Sequence, residues 1–146
     1  MSGSFRFLEE IAVADAAFEA VADSPSELFT AAAQAVIETM VQPSTVGDSW
    51  RCVVQRDDAE LSDLLFDWLA EIVYRKDAEA VVFNCARADV IYDAGRHAWQ
   101  LKGELIGESI DPDRHELRAD VKAVTKHLYD VRQDGSQWRA RVVLDI

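Results

Sequence analysis

Residues 129–146 read YDVRQDGSQWRARVVLDI, and the fold follows from this stretch. Tyr129 to Arg132 and Trp138 to Leu144 are strand-like runs on either side of Asp134-Gly135, a dipeptide suited to a turn with positive backbone angles. Two antiparallel strands result, the second running on to Asp145-Ile146. Upstream, Leu117, Ala119, Val121, Ala123 and Thr125 recur at every second position, the period of a strand with two unlike faces, so this stretch is predicted to be a strand as well. On it Lys122, Val124 and Lys126 share one face, and Ala123, Thr125 and His127 the other.

Working outward, Trp50 to Gln55 reads as a strand, as does the block from Ala80 to Ala86, continued by Ala88 to Tyr92 beyond an irregularity. Trp99, Leu101, Gly103 and Leu105 alternate with polar residues and predict another. Phe5, Phe7 and Ile11 lead into an apolar stretch from Val13 to Ala20, read as the first strand with Asp15 near a bend or strand end. Two helices interrupt the strands. Ser24-Pro25-Ser26-Glu27 offers a cap, a proline at the first helical position and a glutamate three after the cap. Leu28, Ala32, Val36 and Met40, widened by Phe29, Ala33 and Ile37, form its apolar stripe to about Val41. Asp57-Asp58-Ala59-Glu60 offers caps and acids for a second helix, with Leu61, Leu64, Leu65, Trp68, Leu69, Ile72 and Val73 on its buried face. Helices early and strands late predict an α+β two-layer sandwich, a mostly antiparallel sheet covered by two helices, within one domain spanning residues 1–146.

The chain has 27 acidic and 15 basic residues among 146, a formal charge of -12, with 49% hydrophobic residues. Sixteen acids and five bases fall in residues 1–80, so the first half carries the field. Counterion release at phosphates needs clustered positive charge, so this distribution disfavours autonomous nucleic-acid binding and suits a basic protein or a cation. A basic start followed by a hydrophobic run is lacking, as is a run long enough to cross a bilayer, and the expected location is cytoplasmic with no membrane partner. Cys52 and Cys85 have no metal-binding spacing and are expected to be buried thiols.

Asp15 lies among Val13, Ala14, Ala16, Ala17 and Phe18. A carboxylate there must stay hydrated, accept hydrogen bonds or meet a cation, so it reads either as a turn or cap residue or as a metal or partner contact. Asp145 and the main-chain carboxylate of Ile146 are adjacent oxygen donors suited to a hard cation such as calcium or magnesium, especially if Asp15 joins them; the alternative is a solvated chain end. Arg114, His115, Lys122 and Lys126 are partner-binding or structural candidates, able to contact phosphate or an acidic protein or simply to be solvated. His97, His115 and His127 show no zinc spacing, neither cysteine has a nearby histidine, and Gly103 and Gly107 belong to no phosphate loop. No nucleophile, base and electrophilic site come together, so the chain is not expected to be an enzyme and no catalytic residue is assigned.

Taken in order, Phe7-Leu8-Glu9, Ala14-Asp15, Ser26-Glu27-Leu28-Phe29 with Ala32 behind it, Leu64-Leu65-Phe66-Asp67-Trp68-Leu69, Gly107-Glu108, Arg114-His115, Lys122-Ala123-Val124-Thr125 and terminal Asp145-Ile146 make the sequence resemble the archease family over almost its whole length. The resemblance implies a small α+β protein that activates an RtcB-type RNA ligase in tRNA splicing or RNA repair, promoting its guanylylation and repeated turnover. The partner's chemistry uses GTP and manganese to join a 3′-phosphate or 2′,3′-cyclic-phosphate end to a 5′-hydroxyl; contact of this chain with tRNA or other RNA would be indirect or transient. The resemblance also implies a divalent-cation site of Asp15, Asp145 and Ile146, with calcium first and manganese or magnesium as alternatives. Two positions depart from the family pattern. Ala12 and Val13 stand where histidine and threonine are usual, and Lys126 follows Lys-Ala-Val-Thr in place of tyrosine. The rival reading is an acidic adaptor that binds another RNA-processing or RNA-modification enzyme.

Overall fold

The computed structural model describes residues 3–8 and 15–146. In chain order the elements are β1 (Ser4–Phe7), β2 (Asp15–Ala22), α1 (Pro25–Met40), β3 (Trp50–Asp58), α2 (Leu61–Glu79), β4 (Val81–Asp93), β5 (Ala98–Ser109), β6 (Ala123–Asp134) and β7 (Gln137–Asp145), with a short 3-10 turn at Pro43–Thr45. The α+β class and both helices match the reading of the sequence. The strands divide into two antiparallel sheets, β1-β2-β7-β6 and β3-β5-β4, and the principal core draws on both sheets and both helices.

Helix α1 begins where its cap dictates. The Ser24 hydroxyl accepts the Glu27 main-chain N–H at 3.2 Å and donates to Glu27 Oε1 at 3.0 Å, satisfying a donor that the first turn leaves free. Every residue of the expected apolar stripes of α1 and α2 is buried. Trp68 is wholly buried, and its indole N–H donates to the Phe29 carbonyl at 3.1 Å, joining the two helices inside the core.

The Asp134-Gly135 turn joins β6 and β7, with Gly135 at φ 64°. The alternation over residues 117–122 is not a strand, however. Those main-chain groups turn to the end of α1. Arg118 N donates to the Met40 carbonyl at 2.8 Å, Ala119 N to Thr39 O at 3.0 Å, and the Arg118 guanidinium to Glu38 O at 2.8 Å. Helix α1 has no basic residue in its last turn, and this strap supplies the missing donors and positive charge. β6 therefore starts at Ala123, and it is soon interrupted. Thr125 pairs with Val143 and Asp130 with Arg141, leaving residues 126–129 opposite Val142 alone, with Leu128 left-handed at φ 54°. The shared face expected for Lys122, Val124 and Lys126 is thereby lost: Val124 is buried and both lysines are exposed.

Other expectations shift for local reasons. Asp57 and Asp58 belong to β3 rather than to a helix cap, Glu60 makes no side-chain cap bond, and Asp58 Oδ1 instead accepts the Glu60 N–H at 3.0 Å. β4 runs unbroken through Arg87; its irregularity sits between Phe83 and Cys85, where Asn84 reaches across to the Val46 carbonyl at 2.8 Å. Cys52 and Cys85 are half-buried rather than buried, and they oppose successive β5 residues, Leu105 and Ile106, which point to opposite faces. Among the described residues no helix is long and apolar enough to cross a membrane.

Gly103 lies beneath Trp68, and a β-carbon there would come within 2.5 Å of the indole ring. Gly103→Ala is expected to lower the unfolding free energy by about 1–3 kcal/mol in denaturant titration, the usual cost of overfilling a packed core.

Candidate functional site

Alternation along β2 turns Phe18, Ala20 and Ala22 into the core, which leaves Asp15, Ala17 and Glu19 on the opposite, outer face. Along β7, Ala140, Val142 and Leu144 turn inward and Arg141, Val143 and Asp145 outward. The antiparallel register makes Asp15 and Asp145 direct cross-strand partners, so the two carboxylates project side by side from the outer face. Like charges directly opposed across two strands destabilise the pairing unless something offsets them. Asp15 is exposed and Asp145 half-buried, and neither has a basic ion-pair partner among the described residues.

The surroundings of the pair are small and apolar. Next along the same face, Ala17 and Val143 pack with Leu8 into a second, separate apolar cluster. Asp145 is flanked on its other side by Ala123 of β6, and the Lys122 N–H donates to the Asp145 carbonyl at 2.7 Å. A cleft of about 340 Å³ opens beside the pair, lined by Phe7, Leu8, Asp15, Thr39, Ala119 and Ile146 among others. The structure thus brings together Asp15, Asp145 and Ile146, the three residues picked out from the sequence. Among the described residues no three His, Cys, Asp or Glu side chains gather as a metal cluster. Val13, Ala14 and the departing position Ala12 lie outside the described residues.

The basic and histidine candidates do not join this site. Glu108, on β5, accepts both terminal nitrogens of Arg114 at 2.7 and 2.8 Å, the His115 ring at 2.6 Å and the Gly47 N–H at 2.7 Å. His115 Nδ1 accepts the Asp111 N–H at 2.9 Å, so the ring proton is on Nε2 and points at Glu108. These bonds tie the 111–116 turn and the Gly47 loop to β5, the structural one of the two roles open to Arg114 and His115. Lys126 sits 3.9 Å from the Phe66 ring centroid and 5.3 Å from that of Tyr129, with Asp63 at 3.8 Å. Tyr129 donates to the Ser62 carbonyl at 2.6 Å, and burial, helped by Asp63 and Asp67, pushes its hydroxyl pKa up. Lys126 thus packs against α2 on the bulge, where the family's usual tyrosine is absent. A larger, open depression of about 660 Å³ on the β3-β5-β4 sheet is lined by mixed charges including Arg56, Asp57, Asp89, Arg96 and Lys102, remote in the fold from the carboxylate pair.

A profile of the archease protein family matches residues 5–146. The chain belongs to the archease family. A protein archease of Methanopyrus kandleri is 33% identical over 133 residues, covering 91% of this chain and 94% of its own. The protein archease of Methanothermobacter thermautotrophicus is 34% identical over 134 residues, covering 91% and 93%. The solution structure of Methanobacterium thermoautotrophicum protein 1598 superposes with a TM-score of 0.80 at 32% identity, covering 97% of this chain and 98% of that one. A Thermotoga maritima crystal structure described as an archease, possible chaperone, shares the fold at a TM-score of 0.59 and 18% identity, covering 92% and 93%.

The Arg114 guanidinium, then His115 and the Gly47 N–H, hold the Glu108 carboxyl well below the usual carboxylate range. A depressed folded-state value adds stability above the ordinary carboxylate pKa and loses it as pH falls toward the folded value. Glu108→Gln is therefore expected to melt below wild type at neutral pH, with the difference narrowing as acid titrates the wild-type carboxylate. Thermal unfolding of both proteins across that range checks this.

Proposed function

We propose that this archease is a noncatalytic activator of an RtcB-type RNA ligase in tRNA splicing or RNA repair, acting through a divalent cation held by Asp15, Asp145 and the Ile146 carboxylate. The observation that carries the reading is the direct opposition of Asp15 and Asp145 on an outer sheet face beside the chain's last residue. Carboxylate oxygens are the donors that calcium, magnesium and manganese prefer, and a dication offsets the repulsion between the pair. Calcium, which tolerates irregular carboxylate sets, fits first, with manganese or magnesium as alternatives. Three acidic groups fill only part of such an ion's coordination shell, so the bound cation would offer open positions to a partner's oxygen or nitrogen donors.

The acidic surface suits docking near a metal-bearing, positively charged centre. Guanylylation, with GTP as donor, and RNA joining belong to the ligase, and any contact with RNA passes through that complex. The first half of this chain, with its excess of acids, supplies the long-range attraction, while the carboxylate pair supplies the specific contact. The location proposed for such a complex is the cytoplasm.

Asp15→Asn and Asp145→Asn are each expected to weaken calcium and manganese binding at least about tenfold in calorimetry while leaving the fold intact. A tail added after Ile146 removes the terminal carboxylate and should do the same; wild-type affinity in that extension would exclude the terminal role.

The functional assay is guanylylation and multiple-turnover RNA joining by the same organism's RtcB-type ligase, with and without this protein at matched GTP and metal. Acceleration of both, lost in Asp145→Asn, is the expected result. No effect on an active ligase by folded protein would overturn the reading and favour an adaptor for another RNA-processing or RNA-modification enzyme.

A further inference from the structure

Lys76, in the last turn of α2, is far from the carboxylate pair in sequence but linked to it through main-chain contacts. Its side chain is only 11% exposed, unusual for a lysine, and its ammonium has three acceptors at 2.7 Å: the Val121 carbonyl, Asp120 Oδ1 and Asp77 Oδ1. Burial works against its charge, but the Asp120 and Asp77 carboxylates outweigh that and hold its pKa above the ordinary lysine value. Two of its acceptors are surface carboxylates, with Asp120 and Asp77 74% and 61% exposed. The third, Val121 O, belongs to the strap that crosses the end of α1.

The next amide along the strap is that of Lys122, which donates to the Asp145 carbonyl at 2.7 Å, and the next residue, Ala123, is the cross-strand partner of Asp145. Asp145 in turn opposes Asp15. A continuous path of hydrogen bonds and peptide units thus runs from the α2 ammonium to Asp145 at the end of β7. Asp145 is held by its pairing with Asp15 of β2 and Ala123 of β6 and by the Lys122 amide. Arg118, at the other end of the strap, is fixed to α1; at the end nearer the pair the strap is held by the buried Val121 side chain and by the Lys76 ammonium on the Val121 carbonyl.

We propose that Lys76 is a positioning residue for the carboxylate pair: by gripping the Val121 carbonyl it fixes the strap, whose Lys122 amide holds the Asp145 main chain opposite Asp15. The inference deepens the cation-site reading and rests on it for its effect on binding. The part concerning the main chain stands on the hydrogen bonds alone. Removing the ammonium frees the strap from α2, loosens the Lys122–Asp145 bond and spreads the donors that a cation requires close together. Arginine retains donors for Val121 O and the carboxylates and should restore much of the hold.

The test uses full-length wild type, Lys76→Met and Lys76→Arg, with Lys76→Gln replacing the methionine variant if that one does not fold. Native-state amide exchange is followed at Lys122, with Val143 in the middle of β7 as the reference for global opening, and calcium affinity is measured by calorimetry. In Lys76→Met, Lys122 exchange is expected to rise about tenfold relative to Val143, with calcium binding about tenfold weaker and both largely restored in Lys76→Arg. A merely stabilising lysine would lower the melting temperature and speed both amides equally, with calcium affinity unchanged, and that result overturns the proposal. Unchanged Lys122 exchange in a folded Lys76→Met also overturns it. If wild type itself binds no calcium, the cation reading fails on its own, and the Lys122 exchange ratio alone then supports or overturns the tether.

Discussion

The pairing of β2 with β7 is the constraint on which the rest depends. It runs in register from Ala22 opposite Trp138 to Asp15 opposite Asp145, and every residue along it is assigned to the core or to the outer face by that register. Phe18, Ala20, Val142 and Leu144 are driven inward by the apolar core, and the two aspartates must then emerge together on the other side. A shift by one residue would bury Asp15 and expose Phe18, so hydrophobic burial enforces the carboxylate opposition even though the opposition itself is unfavourable. The core supplies the energy and the outer face holds the unresolved charge.

The elements around this pair keep its end of the sheet in place. Helix α1 is fixed at its start by Ser24 and at its end by the strap, whose Arg118 serves as the helix's missing terminal cation. The strap leads directly to the Lys122–Asp145 bond. The Glu108 hub locks the turn immediately before the strap, with Arg114 and His115 converging on one carboxylate. Arg114 and His115 are thus committed to orienting main chain, while Asp15 and Asp145 have no basic ion-pair partner among the described residues.

Much of this was legible because burial has a period. The α1 and α2 stripes and the Asp134-Gly135 hairpin are local patterns, and each is borne out. What failed was local pattern under tertiary competition. Residues 117–122 alternate like a strand, but the free carbonyls at the end of α1 captured their amides, a demand invisible in the strap's own sequence. The four-residue bulge at 126–129 likewise has no signal in a run that alternates acceptably, and it moved Lys126 from the expected face onto Phe66 and Tyr129. Nothing in the sequence singles out Lys76, and Glu108 stands out only within the family-like Gly107-Glu108 pair; burial and convergent partners in the fold distinguish both. Asp15, Asp145 and Ile146 were picked out by residue type and family pattern, and the antiparallel register then brought them together.

On the proposed function, the opposed carboxylates and the Ile146 carboxylate share one divalent cation. The most direct measurement is a calcium titration followed by NMR of the carboxyl carbons of Asp15, Asp145 and Ile146. All three resonances are expected to shift along one saturating curve, while Glu108, engaged by Arg114 and His115, stays still. Saturable calcium binding that leaves these three unmoved, or the absence of any saturable shift, would contradict the proposal.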